Sequence, residues 1–139
     1  GEWGFPGWKA NMFFRVGYDD WRFTWETRFI KSVHQDALSV DEFSDAFTAS
    51  DTCLGPAYGD VLCRDYGDAK DYVTHNVSLY YSAENWDVGF GVRNLEDKAP
   101  PKVDGTEILS VNNAPIGYGY DLNGRVFFMN VSYRFGNAD

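Results

Sequence analysis

The side chains best suited to chemistry lie in one acidic segment of the chain. Between His34 and Asp71, nine carboxylates against two basic residues, Arg64 and Lys70, give a net charge of −7 out of −9 for the whole chain. These carboxylates are Asp36, Asp41, Glu42, Asp45, Asp51, Asp60, Asp65, Asp68 and Asp71. Their spacing does not match an EF-hand loop, so calcium remains an alternative, and we predict no metal site and no cofactor. Because phosphate binding needs clustered Lys and Arg, we predict no nucleic-acid partner.

Two cysteines in the same segment predict a disulfide. In "DTCLGPAYGDVLCRD", the residues Gly55, Pro56 and Gly59 between Cys53 and Cys63 allow the chain to turn back on itself. A disulfide fits an oxidising compartment, and closing so short a loop would stabilise the fold by roughly 2–3 kcal/mol. Two unrelated free thiols are the alternative. Metal binding by the pair is disfavoured, because neither a His nor a second Cys pair lies nearby.

The histidines argue against an enzyme. A Ser-His-carboxylate site needs its three groups gathered at one place. The chain has only His34, which begins the acidic segment, and His75, which lies on an apolar strand face, and it contains no Gly-x-Ser-x-Gly sequence. We predict that the protein is not an enzyme.

Five segments of alternating apolar and polar residues could form the framework that positions the acidic segment, its cysteines and the histidines. They are "WKANMFFRVGY", "WRFTWETRF", "YVTHNVSLYYS", "WDVGFGVRN" and the end of "GYDLNGRVFFMNVSYRFGNAD". A period of two predicts β-strands with one apolar and one polar face. Two connections are tight, "DD" (Asp19 and Asp20) and "AEN" (residues 83–85), and two are long, residues 34–71 and 95 to about 123. We therefore predict an antiparallel up-and-down sheet with its tight turns at one end and its long loops at the other.

The two faces of these strands differ sharply, and we name them the apolar face and the polar face. The apolar face carries Trp8, Met12, Phe14, Val16, Tyr18, Trp21, Phe23, Trp25, Phe29, Val77, Leu79, Tyr81, Trp86, Val88, Phe90, Val92, Phe127, Met129, Val131, Tyr133 and Phe135. The polar face carries Arg15, Arg22, Arg28, Arg93 and Arg134, with Glu26 and Asp87 as expected partners. Gly17, Gly89 and Gly91 also lie on the polar face, where we expect them to leave room for something packed inside a barrel.

This pattern is typical of an outer-membrane β-barrel. Strands of about 9–11 residues, short turns on one side and long loops on the other are its sequence signature. Aromatic residues beside the tight turns and the terminus fit one rim of an interfacial girdle, and Trp8 and Phe29 fit the other rim. No stretch is long and apolar enough for a transmembrane helix. The alternative is a soluble β-sandwich, such as a carbohydrate-binding module, whose core would be the apolar face.

Two motifs resemble the C-terminal part of TonB-dependent outer-membrane receptors. In "GVRNLEDKAPP", the residues Asn94, Leu95, Asp97, Lys98, Pro100 and Pro101 match the family's Asn-Leu-Phe-Asp-Lys-x-Pro-Pro-like sequence, and Glu96 stands where Phe is usual. In "GYGYDLNGRVFFMNVSYRF", the residues Tyr120, Asp121, Gly124, Arg125 and Phe135 match the opening and the end of the family's last strand. The first hairpin, from "FPGWKANMFFRVGY" onward, is also similar.

The resemblance implies a transmembrane barrel of twenty-two strands, of which residues 1–135 would be about five C-terminal strands with two extracellular loops. The implied partners are the remaining N-terminal strands and plug, in the same protein or a separate chain, TonB acting on that plug, the barrel assembly machinery and outer-membrane lipid. The implied function is active uptake of a ferric siderophore, haem, cobalamin or oligosaccharide across the bacterial outer membrane. The short turns and the C-terminus would be periplasmic, and the chain should not fold stably alone, because an open sheet in lipid leaves backbone groups unpaired.

The resemblance also implies roles for individual residues. Met129, Val131, Tyr133 and Phe135 resemble the signal read by the barrel assembly machinery. The family usually stops at the terminal Phe, so residues 136–139 would be a short overhang. In the acidic extracellular loop, the aromatic residues suited to ligand contact are Phe43, Phe47, Tyr58 and Tyr66, and "SVDEFSDAF" has the Ser39–Glu42 spacing of a helix capping box.

Overall fold

A computed structural model describes residues 1–2, 4–34, 48–49, 56–58, 62–63, 69–103 and 109–136. Its strands are β1 (Lys9–Tyr18), β2 (Trp21–Ile30), β3 (Thr48–Ala49), β4 (Pro56–Tyr58), β5 (Leu62–Cys63), β6 (Tyr72–Ser82), β7 (Trp86–Arg93), β8 (Ser110–Val111), β9 (Ala114–Pro115) and β10 (Val126–Tyr133). Within these ranges there is no helix. The helix predicted around Ser39 lies outside them.

The five long strands form one sheet in the order β1-β2-β6-β7-β10. Each long strand pairs with the next long strand along the chain, so the predicted antiparallel up-and-down arrangement is confirmed. Closure into a barrel and the presence of twenty-two strands remain predictions. The small sheets β3-β4-β5 and β8-β9 fall in segments that the sequence predicted as loops.

The two tight turns are stabilised by backbone features of their own residues. Asp19 takes a positive φ of 53° between β1 and β2, a conformation that Asp tolerates better than most residues. At the second turn, the Ala83 amide donates to the Trp86 carbonyl at 2.8 Å, and the Arg134 amide donates to the Asn85 carbonyl at 2.7 Å. The second contact ties the end of β10 to the turn between β6 and β7.

The register places apolar residues beside apolar residues across the sheet. Phe90 of β7 is paired with Leu79 of β6 and with Met129 of β10. Two residues further along, Val88 is paired with Tyr81 and Val131 in the same way. Since a one-residue slip would move every side chain to the other face, this register confirms the predicted assignment of residues to the two faces for β6, β7 and β10.

The chain divides into two compact units. The unit formed by Gly1–Ala10, Phe29–Tyr72 and Ala99–Leu122 has a small buried core of Val33, Ala69 and Val103. The Val33 and Ala69 backbones pair at 2.9–3.0 Å, and Asn113 bonds the Val103 carbonyl through its side chain at 3.0 Å.

In the same unit, the Asp71 carboxylate fixes the chain just before β6. Asp71 accepts from the Ser32 amide at 2.8 Å and lies 3.0 Å from the Lys31 ammonium. These backbone and side-chain hydrogen bonds lower the pKa of Asp71.

The unit formed by Asn11–Arg28, Val73–Lys98 and Asn123–Asp139 contains most of the long sheet. It lacks an ordinary core on the apolar face, where most large side chains stay exposed. A globular domain would bury these side chains, so we take the exposed apolar face as the starting point for the candidate site.

Candidate functional site

Most of the large side chains of the apolar face are exposed, above all on β1 and β10, whereas Val92 is buried. Phe127, Met129 and Val131 of β10 are 63%, 69% and 63% exposed, and Phe14 of β1 is 62% exposed. The other large apolar residues exposed on this face are Trp8, Met12, Val16, Tyr18, Trp21, Leu79, Trp86, Phe90 and Tyr133. Soluble monomers rarely expose so many large apolar side chains on one face, so we treat this face as the candidate site.

Aromatic rings form a connected row beside the tight turns. Tyr81 lies between Trp21, at a centroid distance of 4.8 Å, and Trp86, at 5.7 Å. Tyr133 and Phe135 make an edge-to-face pair at 4.6 Å. The predicted clustering of aromatic residues at this end of the sheet is therefore confirmed. In the other unit, Trp8 and Phe29, which we predict to belong to the opposite rim, stack at a centroid distance of 4.3 Å.

The polar face is concave. A hollow of about 200 Å³ is lined by residues of all five long strands: Phe13, Thr24, Glu26, Asn76, Val77, Ser78, Arg93 and Phe128. For β1 and β10, which lie at opposite edges of the sheet, to line one hollow, the sheet must curve toward its polar face. The exposed apolar face is then the convex one.

Aromatic rings of this chain fill the space beside the buried glycines. A Cβ on Gly89 would overlap the Tyr80 ring, and a Cβ on Gly91 would lie 2.6 Å from the Phe128 Cε1 and 2.7 Å from the Val77 carbonyl oxygen. The expectation that these glycines leave room for something packed inside a barrel is wrong for Gly89 and Gly91. Gly17 has only ordinary contacts, the nearest at 3.8 Å.

The arginines of the polar face lie over aromatic rings. The guanidinium carbon of Arg22 is 5.4 Å from the Tyr80 ring centroid, and that of Arg93 is 5.5 Å from the Phe128 centroid. A third pair, Arg15 over Phe13, has a distance of 5.3 Å. Two layered groups result, Gly89–Tyr80–Arg22 and Gly91–Phe128–Arg93, which we call the two arginine stacks.

The predicted carboxylate partners have different roles. Asp87 pairs with Arg134 at 3.1 Å, as expected. Glu26 instead accepts from the Asn76 side-chain amide at 2.7 Å, and the Asn76 oxygen accepts from the Asn94 amide at 2.9 Å. Asn76 therefore lies on the polar face, as its alternation predicts.

The two family-like motifs meet at the base of the last long connection. Asn94 is fully buried with a φ of 50°, and its side chain bonds both the Lys98 amide, at 2.8 Å, and the Lys98 carbonyl, at 2.9 Å. Asp97 accepts from the Arg125 amide at 2.7 Å, beside Gly124, whose φ of 70° favours glycine. These contacts explain why Asn, Asp and Gly stand at these positions.

Glu96, which stands where the family has Phe, contacts a histidine. Its carboxylate bonds the His75 ring nitrogen, and the His75 amide donates to it at 3.2 Å. The His75 ring also lies 5.2 Å from the Trp25 ring. Burial acts to raise the pKa of Glu96, but the hydrogen bonds from His75 and the backbone outweigh it, so the pKa is lowered.

The predicted loop residues mostly lie outside the described residues. The structure does not describe Cys53, Phe43, Phe47 or Tyr66, so the disulfide and the ligand contacts stay predictions. Cys63 lies on β5 and Tyr58 on β4. Met129, Val131 and Tyr133 lie on β10 with Phe135 just beyond it, and all four are exposed.

The sequence prediction missed the role of Tyr80 and Phe128. Both are aromatic residues at polar-face positions, directly opposite a glycine on the neighbouring strand: Tyr80 pairs with Gly89, and Phe128 pairs with Gly91. An aromatic residue across from a strand glycine is a known way to cover exposed backbone, and it was the signal that could have identified them.

Comparison with protein-family models, with curated proteins and with solved structures found no match for this chain. Across the described ranges, no helix has the length and apolar character needed to span a membrane. The same residues contain no cluster of three or more side chains able to hold a metal ion.

Proposed function

We propose that this chain forms the last five strands and two extracellular loops of a TonB-dependent receptor, which takes up a scarce nutrient across the bacterial outer membrane. The proposal is carried by one observation: a curved antiparallel sheet exposes most large side chains of its apolar face on the convex side and carries arginines on its concave side. A barrel wall between lipid and water has this distribution of side chains.

The open edges of the sheet support the same proposal. β1 and β10 are the outermost strands of the five-stranded sheet, so each has a row of backbone groups that no strand of the described sheet pairs. Such edges are costly in lipid, where water is not available as a partner. Further strands, on the same protein or on a second chain, would pair both edges and close the barrel.

The aromatic row fits the boundary of the membrane. Trp21, Tyr81 and Trp86 contact one another at the end of the sheet that carries the tight turns. Tyr and Trp favour the interface because one part of the ring system is apolar and the other forms hydrogen bonds. We place this end at the periplasmic surface, with the acidic segment in the extracellular loops.

The substrate would be a ferric siderophore, haem, cobalamin or an oligosaccharide, and transport would depend on a plug and on TonB. Barrel assembly machinery would recognise the exposed end of β10, where Met129, Val131, Tyr133 and Phe135 lie. No catalytic role is proposed.

A soluble carbohydrate-binding sandwich is favoured less by these observations. A sandwich would bury the apolar face under a second sheet. In the described ranges most large residues of that face remain exposed, and Met129 in the middle of β10 is 69% exposed.

Membrane extraction followed by native separation tests the proposal. We expect the chain to stay with membranes through a high-salt wash, to leave only with detergent, and to migrate in mild detergent with additional strands. Intact mass of each native band would identify the 15.8 kDa chain and any partner. A chain released by salt that migrates alone as a folded species would overturn the proposal and favour the sandwich.

A further inference from the structure

The polar face carries a charge opposite to that of the chain. The whole chain has a net charge of −9. The polar-face positions of the long strands and Arg134, directly after β10, carry five arginines (Arg15, Arg22, Arg28, Arg93 and Arg134) and two carboxylates, Glu26 and Asp87. An acidic protein that concentrates arginine on one concave surface has a local preference for anions there.

Three of these arginines have no carboxylate partner in the part of the chain that the structure describes. Among the described residues, Arg15, Arg22 and Arg93 form no ion pair within 4 Å, whereas Arg134 is paired with Asp87 at 3.1 Å. Glu26 is occupied by the Asn76 amide rather than by an arginine. The guanidinium groups of Arg22 and Arg93 therefore keep donors available toward the concave side.

The two arginine stacks hold these groups in place. Each guanidinium lies over an aromatic ring, and each ring lies against a buried glycine. Stacking restricts a flexible side chain before any ligand arrives, which reduces the entropy lost on binding. A planar guanidinium with free edges binds a carboxylate, phosphate or sulfate group through two parallel hydrogen bonds.

The hollow beside Arg93 suits one such group. Its volume of about 200 Å³ is too small for a large ligand but holds a single oxyanion group. Thr24 and Ser78 line it and provide hydroxyl donors. The Glu26 carboxylate also lines it and accepts from the Asn76 amide at 2.7 Å, so the free oxyanion donors lie on the Arg93 side of the hollow.

We propose that the two arginine stacks bind the oxyanion groups of an anionic solute on the concave face. The inference rests on the proposed function, because this face lines a transport lumen only if the sheet belongs to a barrel. It narrows the transported nutrient to a compound that carries carboxylate, phosphate or sulfate groups. An acidic protein segment is the alternative occupant.

Citrate binding tests this inference on the protein as extracted in mild detergent. Equilibrium dialysis with labelled citrate should show saturable binding that weakens as salt rises. The double substitution Arg22→Gln and Arg93→Gln should weaken citrate binding at least about tenfold, since two charge-assisted hydrogen-bond pairs are lost.

Arg134→Gln is the matched control. It removes the same charge from the same face, but its guanidinium is already paired with Asp87, so citrate affinity should change less than about twofold. Tryptophan fluorescence and native migration of each variant check that the fold is retained. The single substitutions Arg22→Gln and Arg93→Gln remove one charge each, as Arg134→Gln does. An equal loss of citrate affinity in all three variants would overturn the inference and leave only a general effect of charge.

The failure of this inference is distinguishable from the failure of the proposed function. A detergent-extracted chain that binds no citrate overturns the inference alone. If the stack variants instead release a co-purifying acidic protein, that protein is the occupant and the inference is wrong. A chain released by salt overturns the proposed function, and with it the lumenal position of the stacks.

Discussion

The sharpest prediction concerns Gly89, because the structure identifies a single group that fills the space beside it. In Gly89→Ala, the new methyl group would overlap the Tyr80 ring, whose Cζ would lie 3.0 Å away and whose nearer carbons would be closer still. The three nearest atoms all belong to the Tyr80 side chain. The ring cannot shift freely, because Arg22 lies over it.

The expected size follows from two opposing effects. Alanine in a strand is normally more stable than glycine by roughly 0.5–1 kcal/mol. Overpacking a filled site typically costs about 1–3 kcal/mol. Gly17→Ala, on the same face but with no contact nearer than 3.8 Å, should show only the first effect. We expect Gly89→Ala to lower the free energy of unfolding by about 1–3 kcal/mol relative to Gly17→Ala.

Urea titration of tryptophan fluorescence on the detergent-extracted protein would measure both variants. The decisive comparison repeats Gly89→Ala in a Tyr80→Ala background, where the ring is gone and alanine should be neutral or stabilising. A coupling energy of about 1–3 kcal/mol between the two positions is expected. If Gly89→Ala changes the free energy of unfolding equally with and without the Tyr80 ring, the packing of that ring against Gly89 is refuted.

Three further predictions follow from other parts of the structure. Met129→Lys should cost about 2–4 kcal/mol in lipid vesicles and Asn130→Lys on the opposite face far less, as measured by urea unfolding; equal costs would contradict a lipid-facing assignment. Asn94→Ala should destabilise by about 2–4 kcal/mol, and Asn94→Gly by less because glycine keeps the positive φ; identical losses would show that backbone conformation is unimportant there. The folded-state pKa of Asp71 is lowered below its ordinary value of 3.8. The Asp71 carboxylate therefore stabilises the fold above pH 3.8, and this stabilisation is lost as the pH falls through the folded-state pKa. The protection factor of the Ser32 amide against hydrogen exchange should therefore fall over that acidic range in the wild type but not in Asp71→Asn.

The long strands could be predicted because their pattern is physical and local. Alternation over eight to eleven residues assigns each side chain to a face, and the register confirms that assignment for β6, β7 and β10. The two tight turns were also predictable, since "DD" and "AEN" leave no length for anything but a hairpin.

The short strands and the stacks could not be predicted in the same way. β8 and β9 have two residues each, too few for a period to be visible, and they are joined by Asn112 and Asn113 at positive φ. The stacks depend on which residues face each other across two strand pairs, which alternation within one strand does not specify. The sequence indicates that Gly89 and Gly91 lie on the polar face, but it does not indicate which aromatic ring lies beside each of them.

The contact between Asp97 and Arg125 also bears on how this protein could change over evolutionary time. A side-chain hydrogen bond joins the two ends of a connection of 28 positions, next to the buried Asn94 turn. The pairing of β7 with β10 is therefore fixed at the base of the loop, and doubling the loop length would add only about 0.6 kcal/mol of closure entropy. Such a base allows the outer part to be lengthened, shortened or exchanged for a loop of different specificity while the wall beneath it keeps its register.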